Sequence, residues 1–295
     1  GTTAALDIED FAAQVTQEKT RHYTMLNCHV TRGDFPHHKI LDLDSIRLEY
    51  FRAAKEAHPE LVKGLKCLCS GSLAGTQSYD LVKRAVEIGE ALNLPLMVHI
   101  GRFPPDPNQI VSLLRKGDVV THSYHGKDIS PYEADGAPKE AFLAARVRGV
   151  YIDVGHGRES FSWPVYQRAF AQGFIPDSIS TDIYNAMGER VLAVDAKNKI
   201  LPVPVELMAL GMPLEDAVTK VTAVPAAIYR LPLLGAIVPG YFGDLTIFSL
   251  EDGDWRLPDS YGQLQSINQM ICPWKTVLSR PGFSQVVDCD LGHPS

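Results

Sequence analysis

Two hydrophobic patterns take turns along most of the chain. Short runs apolar on both faces, at residues 64–70, 94–100, 119–122, 150–154 and 178–181, read as buried strands. Between them lie amphipathic segments of helical period at 79–92, 108–116, 138–148 and 164–172. Gly149 and Gly173 stop the last two. Earlier, residues 5–19 suit a helix with Phe11, Ala12 and Val15 on one face, and 21–27 a strand. A loop at 28–39 leads to a helix at 45–58 with Asp44 at its cap. Strands apolar on both faces belong in a parallel sheet covered by helices. A run of such β-α units closes most simply into a TIM-like (β/α)8 barrel, so the expected fold class is α/β.

From Pro202 the pattern changes. Short helices are expected at 205–210, 214–221 and 225–231, and strands at 244–250, 269–271 and 276–278. This divides the chain into a barrel at 1–238 and a small β-rich appendage at 239–295, with a tail fraying after about Val287.

A length of 295 residues fits one barrel-sized domain with an appendage. The formal net charge of −7 argues against nucleic acid or an anionic membrane as partner. No apolar run reaches the ~20 residues of a membrane span. The five cysteines are odd in number, and Cys67 and Cys69 alternate along one strand, where they cannot pair with each other. Reduced thiols in a cytoplasmic protein are the expectation.

The strands deliver polar side chains to their carboxyl ends, where barrels carry out their chemistry: His99, His122, His156 and Asp182. A divalent ion needs neutral imidazoles and an anionic oxygen converging from different strands, and His99, His122 and Asp182 supply both. Lys66 sits in an apolar strand, where a cation is costly to bury. It either snorkels to the rim or loses its proton and reacts with carbon dioxide to give an anionic carbamate ligand. His125 and His156 are candidates for second-layer or substrate contacts. Gly126, Gly155 and Gly157 suit either close backbone approach to a ligand or simple turns. His29, His37 and His38 fall on a loop, best explained as a lid or a solvated surface.

Taken together these segments resemble the amidohydrolase superfamily, and within it the dihydroorotase-like deacetylase branch. The segments are Gly64-Leu-Lys66, Leu96-Met-Val-His99-Ile-Gly101, Val120-Thr-His122-Ser-Tyr-His-Gly126, Asp153-Val-Gly-His-Gly157, Ile179-Ser-Thr-Asp182, Leu210-Gly-Met212 and Gly243-Asp-Leu-Thr-Ile-Phe248. The resemblance implies a barrel with a binuclear zinc centre (one or two divalent ions, with manganese or iron as alternatives). Lys66 would be carboxylated and bridging, His99 and His122 would be ligands, and Asp182 both ligand and general base. The implied reaction is hydrolysis of an amide or ester in a small molecule, as in deacetylases and N-acyl amino acid amidohydrolases. The alternatives are a cyclic-amide hydrolase of the dihydroorotase type, with Arg102 or Arg158 as carboxylate clamp, or an inactive barrel kept for binding or assembly.

Two departures stand out. The family's first-strand His-x-His pair has no counterpart here, since His37-His38 has the wrong spacing and follows the wrong strand. The opening residues resemble sequence downstream of that strand, which implies either a missing first strand or an abandoned buried metal site. An uncovered barrel edge would invite self-association into a homo-oligomer. Tyr184 stands where relatives carry a histidine and is a weak candidate for substrate contact.

Overall fold

The computed structural model describes residues 2–29, 42–182, 208–280 and 282–288. Six strands form one parallel sheet in chain order: β1 (Thr2–Ala4), β2 (Thr24–Asn27), β3 (Val62–Cys69), β4 (Leu96–Ile100), β5 (Val119–Thr121) and β6 (Tyr151–Ile152). The ladder runs on past β6. Asp153 bridges Ser178, and the amides of Val154, His156 and Gly157 donate to the carbonyls of Ser178, Ser180 and Thr181. Residues 178–181 are thus a seventh extended segment on the same sheet. Each strand lies beside its predecessor, the singly wound course of a TIM barrel.

Helices fill the connections: α1 (Ile8–Thr16), α2 (Leu48–Ala57), α3 (Ser78–Leu92), α4 (Pro107–Ser112), α5 (Glu140–Arg148) and α6 (Trp163–Ala171). Further helices follow as α7 (Leu214–Val221) and α8 (Ala223–Ile228). Among the described residues, none is long and apolar enough to cross a membrane. The core explains the strand pattern. Leu65, Cys67 and Cys69 of β3 are buried in one cluster with Leu81, Val82, Ala85 and Ile88 of α3. The alternate residue Lys66 therefore faces the barrel interior, where it too is buried.

Several expected boundaries move. Thr2–Ala4 is a strand, and the helix expected from residue 5 begins as a short 3-10 turn before α1. Asp44 caps nothing: Asp42 accepts the Asp44 amide in a 3-10 turn, and α2 starts only at Leu48. α4 ends at Ser112, short of the expected 116. Of the helix expected at 205–210, residues 205–207 lie outside the described residues.

The C-terminal strands are longer than their patterns suggested. β7 (Leu245–Pro258), β8 (Leu264–Arg280) and β9 (Phe283–Asp288) form an antiparallel sheet of their own. The two short strands expected at 269–271 and 276–278 are parts of one strand. Residues 283–288 pair with β8, so the chain is ordered to the edge of the expected frayed tail. Cys28, Cys67, Cys69 and Cys272 are free thiols.

Two contacts fix the small sheet to the barrel. At one end Arg21 pairs with Asp244 at 3.1 Å, donates to the Ser279 carbonyl and lies over the Phe242 ring. At the other, the β7–β8 turn inserts buried Asp259 beneath α6. One Asp259 oxygen accepts the Trp163 amide at 3.0 Å; the other accepts the amides of Tyr261 and Gln263 at 2.8 and 2.9 Å. Ser162, the residue before α6, makes no side-chain cap of its own, so the appendage supplies one. Ser260 exchanges backbone and side-chain hydrogen bonds with Phe161. Replacing Asp259 by alanine strands the buried Trp163 amide and removes the acceptor of two partly buried turn amides. The expected loss is about 2–4 kcal/mol, read as a lower thermal midpoint by calorimetry; an unchanged midpoint would refute the clamp.

Candidate active site

His99, His122 and Asp182 come together at the carboxyl ends of the strands, with Lys66 buried in the middle of β3. Lys66 in β3 sits beside Met97 of β4, and its Nζ contacts the Met97 Sδ at 2.9 Å. A thioether is a poor partner for an ammonium ion. Burial lowers the Lys66 pKa, and the carboxylates of Asp182 and Asp153 pull it partly back. His99, in β4, meets His122 edge to face, with ring centroids 4.3 Å apart. Burial first, and then its cationic and imidazole neighbours, push the His99 pKa well down. The ring is therefore neutral.

His122 is the best-defined member. It follows β5 with φ 66°, a left-handed conformation that costs a non-glycine residue about 1–2 kcal/mol. Its Nδ1 lies 2.5 Å from the Gly155 carbonyl, so that nitrogen carries the proton. Burial holds the ring neutral. The unprotonated Nε2 is buried, has no hydrogen-bond partner among the described residues, and faces Asp182 Oδ2 at 3.8 Å. Two acceptor atoms turned toward each other repel unless a cation lies between them. Two metal–ligand bonds of about 2.0–2.2 Å span such a gap. His122 and Asp182 are thus a donor pair of the kind a divalent ion takes, while among the described residues no group of three His, Cys, Asp or Glu side chains is close enough together to hold one.

Asp182 is also left-handed, at φ 50°, and its side chain is 44% exposed. Burial raises its pKa, against the pull of Lys66; nearby Asp153 raises it further. Both strained residues rest on glycine. A Cβ on Gly155 would stand 2.1 Å from Thr121 Oγ1 and 2.7 Å from His122 Nδ1, and one on Gly157 2.8 Å from Asp182 Oδ2. Both glycines also have positive φ, at 53° and 52°. The positive φ values make both glycines turn residues, and the close approach they allow is to the side chains of Thr121, His122 and Asp182.

Asp153 was quoted only as part of a motif, yet it organises the floor of the site. Its buried carboxylate accepts the hydroxyls of Thr121 (2.6 Å), Ser178 (2.7 Å) and Ser180 (2.6 Å). Burial raises its pKa and the three hydroxyls oppose that rise. The signal was the Ser-x-Ser spacing before Asp182, which aims both serines to one side of an extended segment.

The remaining candidates separate. His125 is buried; its Nδ1 accepts the Lys127 amide at 3.1 Å, and its Nε2, beside a cavity of about 240 Å³, has no hydrogen-bond partner among the described residues. His156 stacks on Phe161 and contacts the Gly157 carbonyl through Nδ1. Tyr184, His37 and His38 lie outside the described residues. His29 is neither solvated nor on a lid: it is buried against β3, 2.8 Å from the Leu68 carbonyl. Its place at the end of β2 explains this, since β3 covers the strand. Arg102 is exposed and paired with Glu159 at 3.3 Å, and Arg158 is exposed. Lys127 and Tyr261, which the sequence did not single out, stand at the rim.

Comparison with known proteins completes the picture. Residues 237–279 match a family model described as a deacetylase-like composite domain. A deacetylase of Enterococcus faecalis is 31% identical over 280 residues, covering 94% of this chain and 74% of that protein. This chain belongs to the deacetylase branch of the amidohydrolase superfamily. A deacetylase of Agrobacterium fabrum is 32% identical over 244 residues, and there the match spans 58% of that protein's length. The crystal structure of an adenine deaminase superposes with a TM-score of 0.86 at 30% identity, over 98% of this chain and 76% of that one. The amidohydrolase barrel thus accounts for the course of the parallel sheet.

Burial also fixes how this amidohydrolase responds to acid. His99 and His122 are held well below the usual histidine pKa, His29 is pushed down to about 4 and His125 to about 3. Below pH ~6.5 the unfolded chain takes up these protons and the folded chain does not, so stability falls as pH drops. The raised carboxyl groups of Asp153 and Asp182 offset part of this by binding protons in the fold. Metal-free protein is expected to lose about 3–6 kcal/mol between pH 6.5 and 5, or roughly 10 °C of thermal midpoint. A midpoint flat across that range would show that these histidines titrate freely.

Proposed function

We propose that this protein is a metal-dependent hydrolase that removes an acyl group from a small-molecule amide or ester. The observation that carries this reading is the apposition of His122 Nε2, which has no hydrogen-bond partner among the described residues, and Asp182 Oδ2 at 3.8 Å, in a chain of the deacetylase branch. His99, His122 and Asp182 would hold the ion. Lys66, buried with its pKa lowered, would join them as a carbamate and admit a second ion. Zinc suits the nitrogen and oxygen donors, and manganese or iron can share them.

A bound divalent ion polarises the scissile carbonyl and acidifies water. The chain's own groups do the rest. The Gly155 carbonyl fixes the His122 tautomer, so that Nε2 stays a donor of electrons and not of protons. Asp182, partly exposed with a raised pKa, takes the proton of the attacking water and hands it to the leaving nitrogen or oxygen. Its left-handed backbone turns the carboxylate over Gly157, toward the open end of the barrel.

Asp182→Asn keeps the shape and removes the base. With N-acetyl amino acids or acetyl esters as substrates, kcat is expected to fall by about 10²- to 10⁴-fold while KM moves little. Metal analysis of the purified wild type is expected to give one or two ions per chain, lost in His122→Ala. No metal after zinc supplementation, or full activity in Asp182→Asn, would end this reading.

A further inference from the structure

We propose that the cavity between the 125–136 loop and α6 is a second ligand site, separate from the barrel mouth, that takes a small zwitterion: a free α-amino acid with a short aliphatic side chain. None of Lys66, His99, His122 and Asp182 lines it, so it stands apart from the hydrolase reading. Its walls are built. Residues 131–139 close into a hairpin, with the Glu133 amide on the Ala137 carbonyl at 2.8 Å and the Lys139 amide on the Pro131 carbonyl at 2.9 Å. The hairpin packs on α6 at Gly136, where a Cβ would stand 2.4 Å from the Arg168 Cβ. Tyr132 is held from behind by its stack on Tyr124, with ring centroids 5.7 Å apart. The space left is about 240 Å³, short of the roughly 300–1,000 Å³ of drug-sized pockets.

His125 carries the argument. Its side chain is fully buried, and Nδ1 accepts the Lys127 amide at 3.1 Å. In the neutral ring that burial favours, the proton therefore sits on Nε2. Among the described residues that N–H has no acceptor. A buried donor left unmet is costly, and the cavity that His125 lines gives room for an acceptor oxygen. Two opposite charges line the same cavity from its exposed side, Arg168 and Glu133, and among the described residues neither makes an ion pair. Lys127 lines it as well, with its Nζ on the Ser160 hydroxyl at 3.3 Å. A plain anion would be repelled by Glu133, and a plain cation would leave the His125 N–H and Arg168 unmet. An α-amino acid answers each group. Its carboxylate suits the His125 N–H and Arg168, its ammonium suits Glu133, and a short side chain fits against Val165 and the Tyr132 ring.

The test is calorimetric titration of L-alanine into the full chain stripped of metal by a chelator, so that no ion at the barrel mouth can take the carboxylate. Alanine is expected to bind, and acetate and ethylamine, which carry one charge each, to bind roughly 10-fold more weakly or worse. His125→Phe, Arg168→Met and Glu133→Gln are each expected to weaken alanine by about 10-fold. The last two change exposed side chains, so they decide the matter even where His125→Phe fails to fold. His122→Ala, which alters the barrel mouth, is expected to leave the affinity for alanine unchanged. No binding of alanine at millimolar concentration, or acetate binding as tightly as alanine, would overturn the site. A loss of affinity in His122→Ala with none in Arg168→Met and Glu133→Gln would overturn it too, by placing alanine in the barrel mouth.

Discussion

The buried carboxylate of Asp153 is the constraint on which the site depends. Hydroxyls from Thr121, Ser178 and Ser180 converge on it within 2.6–2.7 Å, tying the ends of three neighbouring extended segments to one point. His122 is the next residue after Thr121, and Asp182 comes two after Ser180. The 3.8 Å apposition of His122 and Asp182 is therefore inherited from the registration that Asp153 imposes one layer below. An ionised group buried this way is tolerable because every hydroxyl around it donates. Removing any one of them would leave a lone pair unsatisfied directly beneath His122 and Asp182.

Strain is the other half of the same design. His122 and Asp182 both adopt left-handed backbone conformations, and Gly155 and Gly157 allow those turns to pass within contact distance. Such conformations persist only where surrounding structure over-determines them. Here the surrounding structure is specific: the Gly155 carbonyl on His122, the ladder from Val154, His156 and Gly157 to residues 178–181, and the Asp153 clamp. The energy stored locally is supplied by the large buried core around β3, β4 and α3.

The barrel course was legible because parallel strands buried on both faces carry a strong pattern, and strand ends could be read as the reactive rim. His99, His122 and Asp182 were singled out this way and Lys66 as a cation within an apolar strand; the structure brings His99, His122 and Asp182 near one another and seats Lys66 beside Met97. What could not be read were partners distant in sequence. Nothing local marks Asp259 as the cap of α6 or Tyr261 as the bridge between rim loops 126 and 159, because each contact joins residues about a hundred or more positions apart. The long strands β7 and β8 were also missed in part. Their exposed faces break the alternation into short runs, and only pairing reveals one continuous ribbon.

These distant contacts change what the appendage is for. A sheet that only shielded a barrel flank would need the Arg21–Asp244 end alone. The other end instead sends its turn, residues 259–263, into the rim of the site, where Asp259 starts α6, Ser260 holds Phe161 and Tyr261 joins the two loops that flank Lys127. The segment that matches the deacetylase-like composite domain, residues 237–279, contains this turn. Rim shape and barrel chemistry are thus set by different parts of the chain. The strand ends fix where His99, His122 and Asp182 sit, and the turn fixes how the loops at Gly126 and Glu159 are held together. The turn also reaches the strand-end layer itself, since the Ser260 hydroxyl donates to the carbonyls of His156 and Gly157, and Gly157 lies against Asp182.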